Sequence, residues 1–274
     1  MRAAYLNSEN TIYITAEGPQ LVIIGPQNKI RKIPAKLMNV IYARGKSVID
    51  SSALCLLTRS NIPLIISGAR GIEEGILLPY NHKIHKYYRE QRIILQSRHN
   101  LNRYLTWLER QKRMQQIAVM DKFSHIGLDR DIGEGNYQIW LKYFLVKIKL
   151  DNNIKIWNYV RLQVRYLFRG LLVEALLRAK LDIHLGGYHR RVNFGLVLDL
   201  NYVLNPRIDE QTILFFCQKD WPDYFIKQSN NQIRLTDEGF KNIVHRFENK
   251  KMHICDILES IIDDYIYLVR ELRT

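Results

Sequence analysis

The sequence predicts an α+β fold, with a small N-terminal β domain over residues 1–80 followed by a larger all-α domain over residues 84–274. Three observations carry this. Up to about residue 80, short runs of β-branched and aromatic residues alternate with Gly and Pro. From about residue 83 the apolar residues take up a helical period. The chain has 274 residues, 47% of them hydrophobic, so both parts can bury a core. With 14 Gly and 7 Pro it is neither collagen-like nor of low complexity, and no internal repeat is visible.

In the first part, strands are expected at Thr11–Thr15, Leu21–Ile24, Lys29–Ile33, Val40–Ala43 and Ser47–Ile49, separated by Gly18-Pro19, Gly25-Pro26, Pro34 and Gly45. A helix follows: Asp50 or Ser51 is the N-cap, and Ala53, Leu54, Leu56 and Leu57 form its apolar face up to Asn61. Pro63–Ile66 reads as another strand before a turn at Gly68, Gly71 and Gly75. Leu21–Ile24 and Leu64–Ile66 are apolar enough for a lone small domain to suggest a two-fold dimer interface here. Beyond a junction at 78–84, helices are expected at 83–96, 98–120, 134–149, 156–180, 194–204, 209–219, 237–248 and 254–272. Gln232–Leu235 reads as a hairpin arm. Thr236, followed by Asp237 and Glu238, starts the next helix with a hydroxyl cap and acids at the positive dipole end.

The 41 Lys+Arg exceed the 27 Asp+Glu, for a formal net charge of +14. Such an excess points to a polyanionic partner. It is concentrated: Lys83–Arg113 holds nine basic residues against Glu90 and Glu109, and Lys142–Arg169 holds seven against Asp151. Both segments interleave aromatics (Tyr87, Tyr88, Tyr104 and Trp107; Tyr143, Trp157, Tyr159 and Tyr166), a pattern suited to a phosphate backbone and an unstacked base. The other reading is a solvated basic face with its aromatics turned inward. Neither segment carries the stripe that a membrane surface requires, and no apolar run approaches a bilayer span. Cys55, Cys217 and Cys255 are far apart and form no CxxC pair, which excludes a disulfide framework or zinc ribbon and agrees with a reducing compartment. With no apolar core in Met1–Asn10 to mark a signal peptide, a cytoplasmic protein is expected.

Three polar residues stand out. Glu134 sits between Gly133 and Gly135, ahead of the apolar face Ile139, Trp140, Tyr143 and Phe144; it is either placed for close approach of a substrate or favours a helix dipole. His189 follows the Gly186-Gly187 turn and precedes Arg190 and Arg191, as a ligand beside a phosphate or as a surface imidazole. Asp199 is embedded in the apolar run Phe194–Leu200, which demands a metal, a cation or backbone donors. Tyr202 lies one turn on, on the same face. Together Glu, His and Asp form an N/O set suited to Mn²⁺ or Mg²⁺ and to phosphodiester transfer.

The motifs around these residues resemble those of the CRISPR-associated integrase family, Cas1. Leu181–His189 is similar to its "G-L-D-P-x-x-G-F-L-H" element, and Leu196–Leu200 to "L-V-Y-D-L-M-E". Ile132–Gly135 resembles "G-x-E-G", and Trp140–Phe144 the aromatic run after it. Gly45–Ala53 with Asn61–Leu64 is similar to the family's capped helix and "g-I-P" strand, and Ile233–Gly239 to "v-x-L-T-x-E-G". The resemblance implies a metal-dependent DNA integrase and endonuclease of spacer acquisition. It implies a homodimer that joins a Cas2 protein dimer and inserts double-stranded DNA with single-stranded ends into CRISPR repeat DNA by 3′-OH attack. Glu134, His189 and Asp199 are the implied catalytic residues and ligands of Mn²⁺ or Mg²⁺. Arg89, Arg92, Arg103, Arg190 and Arg191 are the expected DNA contacts.

The third motif departs from the pattern. The family has a second acid three residues after Asp199, where this chain has Tyr202. A neutral phenol with an ordinary pKa of about 10 is a poor ligand for hard cations. Two further readings therefore stand beside the integrase: a degenerate member that binds DNA and partner without cutting, and a basic nucleic-acid-binding protein with structural polar residues.

Overall fold

The first strand is much longer than its β-branched run. In the structure, a computed structural model describing residues 2–68, 74–79, 85–124, 137–148, 150, 153–227 and 233–273, β1 spans Arg2–Glu17. β2 (Gln20–Ile24) and β3 (Ile30–Pro34) follow as antiparallel neighbours. The two strands expected at Val40–Ala43 and Ser47–Ile49 are one, β4 (Met38–Ile49). Gly45 does not break it: at φ 93° it sits where the β1–β4 register shifts between Ser8 and Ile12, and Gly accommodates this bulge without steric cost. α1 (Ser51–Arg59) is capped by Asp50, whose carboxylate accepts from the Ala53 N–H at 2.8 Å. β5 (Leu64–Ser67) and β6 (Glu74–Leu77) complete a six-stranded sheet of order β3-β2-β1-β4-β5-β6, with β1, β4 and β5 parallel.

One face of this sheet and α1 enclose a core of Leu6, Ile14, Leu21, Ile23, Ile41, Leu57, Ile62 and Leu64. That corrects the grounds for a dimer at Leu21–Ile24 and Leu64–Ile66. Leu21 to Ile23, with Leu64 and Ile65, are already buried without a second copy. The exposed apolar residues lie elsewhere. Tyr13 pairs with Ile24 on one side and Val48 on the other, and Ile24 pairs with Ile30. Paired residues share a face, so the exposed Ile30, Tyr13 and Val48 belong to one row across four strands.

By internal contacts the chain divides into Met1–Ile84 and His85–Thr274. The second unit comprises α2 (Tyr88–Ile93), α3 (Arg98–Lys122), α4 (Tyr137–Lys147), α5 (Ile154–Arg178), α6 (Gly195–Phe216), the hairpin β7 (Phe225–Lys227) and β8 (Ile233–Leu235), and α7 (Asp237–Glu271). α6 packs against both α3 and α5, and is therefore apolar nearly all round. Its span corrects the two helices expected at 194–204 and 209–219. Pro206 lies inside it and withholds the N–H that the Tyr202 carbonyl would accept. Burial of Ile208, Ile213, Phe215 and Phe216 beyond the proline offsets that loss. α7 likewise unites 237–248 and 254–272, because Phe240, Ile243, Phe247, Ile254, Leu258, Ile261 and Tyr265 keep one buried stripe through the polar turn between them. Thr236 caps it, accepting from the Gly239 N–H at 3.1 Å. No helix among the described residues is long and apolar enough to cross a membrane, and Cys55, Cys217 and Cys255 are free.

Candidate functional site

The first turn of α6 organises the site. Phe194, in the left-handed region at φ 63°, precedes the helix, and its N–H is accepted by Nδ1 of His184 at 3.1 Å. The loop 182–194 folds back over this helix end closely enough to exclude side chains from its glycines. A Cβ on Gly186 would stand 2.4 Å from the Gly195 carbonyl carbon, and one on Gly187 would stand 2.3 Å from the ring of Tyr104. Gln91 of α2 anchors the loop by two reciprocal bonds with the Asp182 backbone, at 2.9 and 2.8 Å.

Asp199 holds this loop together. Its Oδ2 accepts from the Tyr104 hydroxyl at 2.7 Å, the Gly187 N–H at 2.8 Å and the Tyr188 N–H at 3.1 Å. Its Oδ1 accepts from the His189 N–H at 2.9 Å and lies 2.7 Å from His189 Nδ1. With no exposed surface, the carboxylate is satisfied by backbone and side-chain donors, as a buried charge must be. Burial, reinforced by the Asp199 charge, pushes the Tyr104 phenol well above its ordinary pKa, so it remains a donor. The contact at Nδ1 fixes the His189 ring, whose side chain is 33% exposed, and leaves Nε2 as the ring nitrogen not bonded to Asp199.

Tyr202, one turn further along α6, has partners of its own. Its hydroxyl donates to Glu109 Oε1 at 2.7 Å, and the Lys112 ammonium stands 3.7 Å from its ring centroid. Tyr188 stacks on Tyr202 at 5.5 Å and meets His189 edge-on at 4.8 Å, so the rings form a row from Lys112 to His189. Burial and then the bond to Glu109 raise the Tyr202 pKa further from neutrality, and burial lowers that of Lys112 against the opposing charge of Glu109.

Of the expected site residues, the structure brings together His189, Asp199 and the neighbouring Tyr202; Glu134 lies outside the described residues. Arg89, Arg92, Arg190 and Arg191 are exposed. Arg190 also donates from Nε to the Gly187 carbonyl at 2.9 Å, and the Arg92 guanidinium lies 5.8 Å from the Tyr88 ring. Arg103 is engaged by Glu271 at 2.6 Å and is a weaker candidate for a phosphate than its neighbours. Sequence reasoning assigned no site role to Tyr104, Glu109 or Lys112. All three stand in the basic, aromatic segment, but the signal that links them to Asp199 and Tyr202 is spatial.

No protein-family model matches the chain, and no curated protein matches it. Solved structures do. A casposase bound to its integration product superposes with a TM-score of 0.78 at 16% identity, over 99% of this chain and 91% of that one. This is the Cas1 fold. A Cas1 protein from Thermotoga maritima aligns with a TM-score of 0.73 at 15% identity, over 99% of this chain and 97% of its own. TtCas1 in complex with DNA aligns with a TM-score of 0.66 at 12% identity, over 98% of this chain and 92% of its own. The likeness spans both units, as the Cas1 resemblance implied for the fold.

The divalent cation that the Cas1 resemblance implies would be held by Glu134, His189 and Asp199, of which Glu134 lies outside the described residues. Asp199, expected as a ligand, accepts five hydrogen bonds inside the protein. Tyr202 is a neutral phenol with an ammonium over its ring. Of the two ring nitrogens of His189, Nδ1 is the one engaged by Asp199. Among the described residues, no group of three or more His, Cys, Asp and Glu side chains is placed to hold a metal.

Proposed function

We propose that this chain is a DNA-binding protein of the Cas1 type that serves the capture of DNA fragments and their insertion at CRISPR repeats, acting as a scaffold for branched DNA. The observation that carries the reading is the ordered end of α6, where the Gly186–Arg191 loop offers His189, Arg190 and Arg191 together over the buried Asp199. The match of the whole chain to a casposase bound to its integration product and to a DNA-bound Cas1 supports it, as does the net charge of +14. A Cas6-RT-Cas1 chain in complex with Cas2 also aligns, with a TM-score of 0.68 at 15% identity over 91% of this chain and 32% of that one, and a Cas2 dimer is the partner that reading brings. The homodimer belongs to the proposal too, with the exposed row Ile30–Tyr13–Val48 as its contact.

A second reading, metal-dependent strand transfer with Glu134, His189, Asp199 and Mn²⁺ or Mg²⁺, is favoured by the oriented His189 ring and by the likeness to a casposase bound to its integration product. The experiment is an assay of binding and strand transfer on duplex DNA with single-stranded ends and a repeat-containing target, in Mn²⁺, in Mg²⁺ and in chelator. Tight, metal-indifferent binding without joined product supports the scaffold. Joined product that chelator abolishes establishes the enzyme, and absence of binding under every condition overturns both.

A further inference from the structure

We infer that the Lys112 ammonium supplies the positive charge beside Tyr202 that a divalent cation supplies in the resembled family, so that a DNA phosphate is met there by a lysine rather than by a metal. The inference deepens the DNA-binding reading and rests on it. Three features point to one substitution of charge. First, position 202 carries a phenol in place of an acid, which removes the anion that would hold a cation. Second, the same ring carries an ammonium at 3.7 Å, the geometry in which a ring quadrupole attracts a cation. Third, the phenol hydroxyl is tied to Glu109 at 2.7 Å, one helical turn before Lys112 on α3, so the two helices hold ring and ammonium in register.

The surroundings complete the case. Asp199 has its oxygens committed to the loop and to Tyr104, so it cannot turn toward a cation without stranding five donors. An incoming dication would meet like charge at Lys112, whereas an incoming phosphate would find the ammonium, with Nε2 of His189 along the same row of rings. An ammonium has three donors, and the half-buried one of Lys112, set against the Tyr202 ring face and near the Glu109 carboxylate, retains donors for phosphate oxygens.

The test uses the full chain and a fluorescein-labelled duplex with single-stranded ends. Affinity is measured across salt in chelator and in Mn²⁺, and bound Mn²⁺ is counted by electron paramagnetic resonance. The native chain is expected to bind this DNA equally in both conditions and to retain no Mn²⁺. Lys112→Met should weaken binding about fivefold and flatten the log–log salt slope by about 0.9, the signature of one lost phosphate contact. Lys112→Arg should restore the slope, which a merely structural role for the residue would not require. The double variant Lys112→Met, Tyr202→Glu should gain bound Mn²⁺. One Mn²⁺ per native chain, or a slope that Lys112→Met leaves unchanged in a folded protein, overturns the inference while leaving DNA binding intact. Failure of the native chain to bind DNA at all overturns the functional reading beneath it.

Discussion

Nδ1 of His189 and Oδ1 of Asp199 lie 2.7 Å apart, and the same oxygen accepts the His189 N–H at 2.9 Å. One carboxylate oxygen thus fixes both the backbone and the ring of the residue that faces solvent. Asp199→Ala would leave the Tyr104 hydroxyl and three loop N–H groups without their acceptor. Each stranded buried donor costs about 1–3 kcal/mol. Allowing for relaxation of the loop toward water, a total loss of at least about 3 kcal/mol is expected. In a unit of this size that lowers the melting temperature by roughly 6–12 °C. Calorimetry checks it; a variant that melts with the native protein would mean that Asp199 does not hold the loop.

The glycines make the same region sensitive to the smallest addition. A Cβ on Gly195 would stand 2.4 Å from the His189 carbonyl oxygen, a backbone atom that cannot swing aside. Gly195→Ala is expected to cost about 1–3 kcal/mol, as overpacking does. A Cβ on Gly18 meets nothing within 4 Å, but its φ of 59° strains any side chain, so Gly18→Asn is the milder comparison. Urea midpoints of the two variants, measured side by side, test the contrast.

Deeper in α6, Glu210 is bonded by Lys122 and by Arg207 Nη1, the latter at 2.9 Å. Burial is the largest single influence and pushes its pKa up, but the two cations together outweigh it and hold the group below its ordinary 4.5. A depressed carboxylate stabilises the fold above its unfolded pKa, and that contribution is lost as pH falls through the folded value. The native chain should therefore lose stability below about pH 4.5, and Glu210→Gln should show a shallower decline there. At pH 7 the same substitution should cost roughly 2 kcal/mol through its weakened bonds to charge. Parallel acid profiles of the two proteins would refute this.

On the DNA side, Arg89→Glu with Arg92→Glu should weaken binding of any sequence and flatten the salt slope by about 0.9 per lost phosphate contact. Arg103→Glu should have less effect on the slope, because Glu271 already neutralises that guanidinium at 2.6 Å. Equal loss in all three would place Arg103 on the phosphate path and free Glu271 from it.

The exposed row on the sheet yields an association test. Tyr13 and Val48 are direct partners across β1 and β4 and are both about half exposed. Tyr13→Glu, Val48→Glu should convert a dimer to a monomer by light scattering, without lowering the melting temperature of the monomer. A dimer that persists in this variant would assign its contact to another face.

Much of this architecture was legible along the chain, because strand alternation, the Asp50 and Thr236 caps and the His189–Asp199 spacing are local signals. Where reading failed, tertiary burial had overruled punctuation. Pro206 should end a helix by local rules, and the apolar residues beyond it keep the helix intact. The candidate site divides along the same line. Asp199 and His189 are ten residues apart and share a motif, whereas Tyr202 and Glu109 are 93 residues apart. No periodicity on α3 marks Lys112 as the neighbour of a ring on α6; that pairing exists only once the two helices pack.

The pairing of β1 with β4 has a consequence for how the N-terminal unit comes into being. β1 leaves the ribosome ahead of β4, so its parallel partners, Ile41 for Ala4 and Ile49 for Ile14, arrive only after β2 and β3 have been made. Until then the chain can form only the β1-β2-β3 meander, which lacks α1 and half of its core. Loop closure must precede the reward of such distant contacts. At about 5–20 residues per second of synthesis, Ile41 follows Ala4 by roughly 2–7 s, during which one edge of the sheet stands open. The N-terminal unit is thus most exposed to misassembly in the interval before β4 has been threaded alongside β1.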